Sequence, residues 1–102
     1  MIYYNVTINI EDEVHQAWLQ WMQQTHLPEV MATGFFLSHS MSKLLSRQPD
    51  ETGTTYVIQY LAKNMADYEK YRDEYAPALQ QKTTALFNGK FVAFRTLMEK
   101  VI

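Results

Sequence analysis

Hydrophobic and polar residues alternate one for one at the start of the chain, where Ile2, Tyr4, Val6, Ile8 and Ile10 interleave with Tyr3, Asn5, Thr7 and Asn9. A period of two sends the two sets to opposite faces, so this stretch predicts a β-strand with one face buried. The period then lengthens. Val14, Trp18, Trp21, Met22 and Thr25 recur three and four apart, as one apolar stripe on a helix does, behind Glu11, Asp12 and Glu13, acids suited to a helix N-terminus. His15, Leu19, Met22 and His26 form a second stripe on the flank of the same helix. His26-Leu27-Pro28 is expected to end it near Thr25, because the residue before a proline disfavours the helical region and Pro28 is preset to begin a new turn. A short helix from Pro28 to Thr33, closed by Gly34, would follow. His26 then occupies an elbow between two helices, from which its ring can turn toward a cavity.

Alternation resumes from Phe35 to about Leu45, with Phe36, Ser38, Ser40 and Ser42 opposite Leu37, His39, Met41 and Lys43; the serines suggest an edge strand. Arg47 to Gly53 is turn chemistry, and the β-branched, aromatic run Thr54 to Leu61 makes the second arm of a hairpin. Asn64 and Asp67 can cap a helix through about Tyr75, with Tyr68, Tyr71 and Tyr75 on its inner side. Pro77 restarts a helix in which Leu79, Lys82, Thr83 and Leu86 share a face, Asn88-Gly89 ends it, and Lys90 to about Leu97 alternates as a fourth strand.

The order β-α-β-β-α-β is the ferredoxin-like unit: an α+β fold with a four-stranded antiparallel sheet, helices on one face and the other face open. Val6, Ile8, Ile58, Tyr60, Val92 and Phe94 are assigned to the helix-covered side, and Thr55, Val57, Gln59, Phe91, Ala93 and Arg95 to the open side, an assignment that a slip of one residue would exchange. Either set is apolar enough that the open face would be costly to leave in water, at roughly 25 cal/mol per Å². Two copies packed sheet to sheet would hide it.

With 102 residues, the chain has room for one modest core and one domain, residues 1–102. A net charge of −2 disfavours nucleic acid and anionic membrane as partners, since both need clustered Lys and Arg. Without cysteine there is no disulfide, thiol nucleophile or thiolate metal site. The opening MIYYNVTINI has neither the basic leader nor the cleavage site of a signal peptide, which points to a cytoplasmic protein.

Few residues carry chemistry. His26 is the candidate catalytic residue, as a general base near neutral pH, against the simpler role of bonding a loop carbonyl. Asn5, Gln59 and Arg95 are polar residues in apolar strands and are expected to converge on a ligand, Arg95 offering a two-pronged fork to an anion or carbonyl; alternatively Arg95 bridges to Glu11 or Glu99 across a dimer. His39 joins the pocket only if it faces inward, and His15 is expected to be solvated. His15 and His26 would lie about 16 Å apart on an unbroken helix, so no metal site is expected. Trp18, Trp21, Tyr68, Tyr71 and Tyr75 have the spacing of core residues rather than of a ligand-stacking box. Gly89-Lys90-Phe91-Val92-Ala93-Phe94 echoes the aromatic strand of RNA-recognition domains, but on the wrong strand and with the lysine after the glycine.

YNVTINI, WLQWMQQTHLPEVMATGFF, YVIQYLAKNMADYEKY and GKFVAFRTL together resemble a family of short bacterial proteins classed only as a domain of unknown function. That family resembles the dimeric α/β barrel group, which includes cofactor-free antibiotic and quinol monooxygenases, haem-degrading enzymes and muconolactone isomerases; His26-Leu27-Pro28 is also similar to a pattern in the ethyl tert-butyl ether degradation branch. The resemblance implies a homodimer through the open sheet face. It implies no cofactor, since the second helix presents tyrosines where a haem ligand would be wanted. Two functions follow: a dimeric module binding a small molecule or a partner, its interior filled by Phe91, Val57 and their neighbours, or a cofactor-independent monooxygenase or isomerase acting on a small aromatic or carbonyl compound near His26.

Overall fold

The computed structural model describes residues 1–102. Strand β1 (Ile2–Ile10) leads through a 3-10 turn (Asp12–Val14) into α1 (His15–Trp21), a π-helical turn (Met22–His26) and α2 (Leu27–Ala32). A hairpin of β2 (Phe36–Lys43) and β3 (Thr54–Ala62), helices α3 (Met65–Glu74) and α4 (Ala76–Phe87), and β4 (Phe91–Glu99) complete the chain. The strands form one antiparallel sheet in the order β2-β3-β1-β4. This is the ferredoxin-like βαββαβ arrangement expected from the alternation.

Local chemistry explains most boundaries. The Asp67 amide donates to Asn64 Oδ1 at 2.9 Å, capping α3, and Pro77 begins α4 where no amide is needed. Gly34 and Gly89 take φ of +84° and +76° at helix ends. Gly53 closes the hairpin loop at φ +70°, and a Cβ there would stand 2.6 Å from the Ile10 carbonyl oxygen. Asn9 ties the same loop down, its Nδ2 donating to the Thr52 carbonyl and to Thr55 Oγ1, both at 3.0 Å. Gly53→Ala should therefore lower the melting temperature more than Gly34→Ala, which meets only the left-handed penalty of about 1 kcal/mol and no neighbouring atom. Thermal unfolding of the two variants side by side checks this.

The elbow at His26 does not exist. His26 (φ −69°, ψ −51°) and Leu27 (φ −59°, ψ −45°) are both helical, and the chain continues through Pro28 as one rod. Proline inside an α-helix removes a hydrogen bond and presses its ring on the carbonyl four residues back. Here the Leu27 amide bonds to the carbonyl of Met22, five residues back, and the wider π turn makes the room that Pro28 needs. That turn also brings Trp21 and His26 together, their rings stacked with centroids 4.9 Å apart. In an α-helix, residues five apart would point about 140° away from each other.

Helices cover one sheet face, and the core lies between. Ile8, Ile10, Trp18, Met22, Val30 and Ile58 are buried there, beside an aromatic cluster of Tyr4, Phe36, Tyr60, Tyr68 and Tyr71. Tyr75, expected inside with the other tyrosines of α3, is largely exposed and packs on Phe35. On α4 the inner positions are Ala76, Leu79 and Phe87, whereas Leu86 faces water.

Candidate functional site

A cavity of about 190 Å³ lies inside a single chain, between the sheet and the helices. Its floor is Val6, Ile8 and Ile58; Tyr4, Tyr60, Tyr71 and Phe91 supply aromatic walls; His26 and Met22 enter from the first helical rod. Gln80, Thr83 and Thr84 of α4 face Ala93 and Arg95 of β4 across it. This location corrects the sequence reading, which put the pocket between the sheet faces of two copies. The reason is the phase of β4. Arg95 pairs with Val6 and Ala93 with Ile8, so Phe91, Ala93 and Arg95 share the helix-covered face, while Val92 and Phe94 lie on the open one with Val57 and Gln59. Both phases of Phe91–Arg95 contain large apolar residues, so alternation alone could not choose between them.

The expected ligand set separates accordingly. His26 and Arg95 line the cavity together. Asn5 and Gln59 pair with each other on the opposite face of the sheet, behind it. They form a polar stripe with Ser40 and Thr96, and Asn5 Oδ1 is buried there without a hydrogen-bond partner. His39 faces the helical side, because a β-bulge between Phe36 and Ser38 shifts β2 so that His39, Met41 and Lys43 follow Phe36. It borders a different depression, beside Leu27, Pro28, Met31 and Tyr56, and does not reach His26. His15 is not solvated: its Nε2 is hydrogen-bonded to Tyr56 Oη at 2.6 Å. No three His, Cys, Asp or Glu side chains gather closely enough to hold a metal ion.

Two polar groups define the cavity's chemistry. Arg95 Nε donates to Tyr4 Oη at 3.1 Å, and no carboxylate of the same chain pairs with the guanidinium; within the chain Glu11 lies 3.8 Å from Lys90. Glu29 is also taken, by Lys82 at 2.9 Å. Burial raises the pKa of Tyr4, Tyr60 and Tyr71, with Arg95 opposing the shift in each, so these phenols stay protonated. His26 Nδ1 is buried without a partner. Burial pushes the imidazole pKa down to about 4, with Arg95 and Lys82 lowering it further and Glu29 opposing.

A neutral histidine has a measurable consequence. Its unfolded pKa is near 6.5, so above that pH both states are neutral and His26 imposes no proton-linked penalty. As pH falls from 6.5 toward about 4, the unfolded chain takes up a proton that the folded one refuses, and stability declines by roughly 3 kcal/mol. Urea unfolding between pH 7 and 4 should show this loss, and the His26→Gln variant should show a shallower one.

Sequence reasoning missed Tyr4, Tyr71 and Gln80 as cavity residues. A signal was present: a tyrosine in the buried phase of a strand, as Tyr4 is, needs a partner for its hydroxyl, and Arg95 provides it.

Comparison with solved structures gives the fold and nothing finer. The chain is 12% identical to an ethyl tert-butyl ether degradation family protein from Bacillus halodurans, covering 99% of this chain and 100% of that one with a TM-score of 0.67. A candidate antibiotic biosynthesis monooxygenase from Deinococcus radiodurans matches at 19% identity, with 100% and 94% covered and a TM-score of 0.67. A mutant form of the cofactor-independent oxygenase SnoaB from Streptomyces nogalater matches at 11%, with 97% and 91% covered and a TM-score of 0.60. None of the curated proteins matches the sequence. No helix is long and apolar enough to cross a membrane. Residues 1–101 match one family model, and the chain belongs to that family, the domain of unknown function DUF4286.

Proposed function

We propose that this chain is a small-molecule-binding module, acting as a cytoplasmic homodimer in which each copy holds its ligand in its own cavity between sheet and helices. The observation that carries the reading is the convergence of an unneutralised guanidinium, Arg95, and an unpartnered imidazole nitrogen, His26 Nδ1, on one cavity of mixed polar and apolar lining. A buried polar atom such as His26 Nδ1 is ordinarily satisfied within the fold, and Arg95, itself exposed, reaches the same cavity with donors to spare. A small aromatic or carbonyl-bearing ligand would satisfy both. Asn5, Gln59 and His39 have no part in this site, and their service is elsewhere: Asn5 and Gln59 in the contact between copies, His39 beside the groove along β2.

The open sheet face supports the dimer. Val92 and Phe94 are 73% and 59% exposed, and they continue into Met98 at one side and Val57 in the middle of the sheet. Such a face is suited to packing on its own copy, with the Asn5 stripe in the contact.

A second reading, a cofactor-independent monooxygenase or isomerase with His26 as base, is favoured by the similarity in fold to SnoaB. A histidine with a pKa near 4 is a weak base at neutral pH, and this places binding ahead of catalysis.

Ala93→Leu tests the binding reading, since it fills the cavity with apolar atoms and leaves His26 and Arg95 in place. In ligand-observed NMR with a set of small aromatic and carbonyl compounds at pH 7, saturable binders of the native protein should lose their signal with Ala93→Leu. Binding unchanged in that variant would contradict the reading.

A further inference from the structure

We infer that the cavity selects a single-ring aromatic carboxylate, its anionic group held by the free prongs of Arg95 and its ring lodged among Tyr4, Tyr60, Tyr71 and Phe91. The inference rests on the binding reading above and adds the ligand's charge, shape and size.

Charge comes first. Within the chain, Arg95 makes one side-chain hydrogen bond, through Nε to Tyr4, which leaves its two terminal nitrogens free. The other two arginines meet an acid: Arg47 with Glu51 and Arg72 with Asp73. A guanidinium edge pairs best with a planar two-oxygen anion, through two parallel hydrogen bonds. No Asp or Glu lines the cavity, the nearby Glu29 is paired with Lys82 at 2.9 Å, and the neutral His26 adds no second positive charge that would call for a dianion.

Size and shape then narrow the class. An apolar cavity of about 150 Å³ accommodates benzene. At about 190 Å³, this one matches a ring with one small substituent better than a fused-ring system. Its walls are aromatic faces and edges, which receive a flat ring by offset stacking or edge contact. An aliphatic acid as short as acetate would reach Arg95 and leave those walls uncovered.

Benzoate, benzyl alcohol, acetate and 1-naphthoate are the probes, titrated into the full-length protein at pH 7 by calorimetry and ¹⁵N-resolved NMR. Benzoate should bind saturably, with each of the other three at least about tenfold weaker. Arg95→Gln should weaken benzoate by at least about tenfold and benzyl alcohol by much less, and Arg95→Lys should fall between for benzoate. Equal binding of benzyl alcohol and benzoate, or full benzoate affinity in Arg95→Gln, would overturn the carboxylate assignment and leave the binding reading standing. Naphthoate binding as well as benzoate would overturn the single-ring limit. Acetate binding as well as benzoate would overturn the role of the ring. Absence of binding by all four would overturn the inference, and the Ala93→Leu comparison on the broader compound set would then decide the binding reading separately.

Discussion

Replacing Phe94 with Asp is expected to leave a monomer in place of the proposed homodimer. Phe94 stands on the open sheet face, 59% exposed in the single chain, opposite Thr7 of β1. Full burial of a phenylalanine side chain contributes on the order of 1.5–3 kcal/mol, covering the exposed 59% of Phe94 contributes about 1–2 kcal/mol, and in a two-fold interface every substitution acts twice. Loss of both side chains therefore removes roughly 2–4 kcal/mol, or about one to three powers of ten in affinity, before the cost of bringing two carboxylates together is added. Light scattering at micromolar concentration should give twice the 12.0 kDa chain mass for the native protein and the single-chain mass for the variant. The fold of one copy should be unaffected, because Phe94 makes no part of the core.

Trp18→Ala is expected to remove 3–5 kcal/mol of stability, the usual range for emptying a fully buried tryptophan site. Trp18 is 0% exposed and packs on Tyr56 with ring centroids 5.1 Å apart, joining the first helix to β3. Domains of this size commonly have only about 5–15 kcal/mol in total. The variant should therefore unfold at much lower urea concentration. Trp18→Phe should cost considerably less: it keeps most of the packing and deletes an indole Nε1–H that is buried without an acceptor. Urea unfolding of both variants followed by circular dichroism measures the difference.

The strand pattern was readable where only one phase of a strand is apolar, and unreadable where both are. In β1, the contrast between Ile8 and Asn9 leaves one choice, and Ile8 is buried while Asn9 binds the hairpin loop. In β4, Phe91 and Val92 compete for the same face, and only the pairing of Arg95 with Val6 decides it. That decision moves the cavity from between two sheets to the interior of one chain. The β2 bulge is a similar case: Phe36 and Ser38 look in phase, yet the inserted residue puts Phe36 with His39. At Pro28 the rule that proline ends a helix gave way to tertiary packing, because Leu27 before it and Val30 after it are buried and hold the rod in place through a π turn. The candidate site was half legible. His26 and Arg95 stood out as polar residues in apolar surroundings and do meet in the cavity, whereas Asn5 and Gln59 shared that signature and lie on the other face.

The similarity in fold to proteins described as monooxygenases does not carry their chemistry here, since one architecture supports many sites. The chemistry of this chain is local: a neutral histidine, three protonated tyrosines and an arginine without an acid around one cavity. The most direct test of that arrangement is a benzoate titration of the ¹⁵N-labelled protein at pH 7, read at the His26 ring nitrogens, the Arg95 side-chain NH groups and the backbone amides. The account requires saturable shifts at His26, Arg95 and the amides of Tyr4 and Ala93. Shifts confined to the open sheet around Val57 and Phe94, or none at any of these positions, would contradict it.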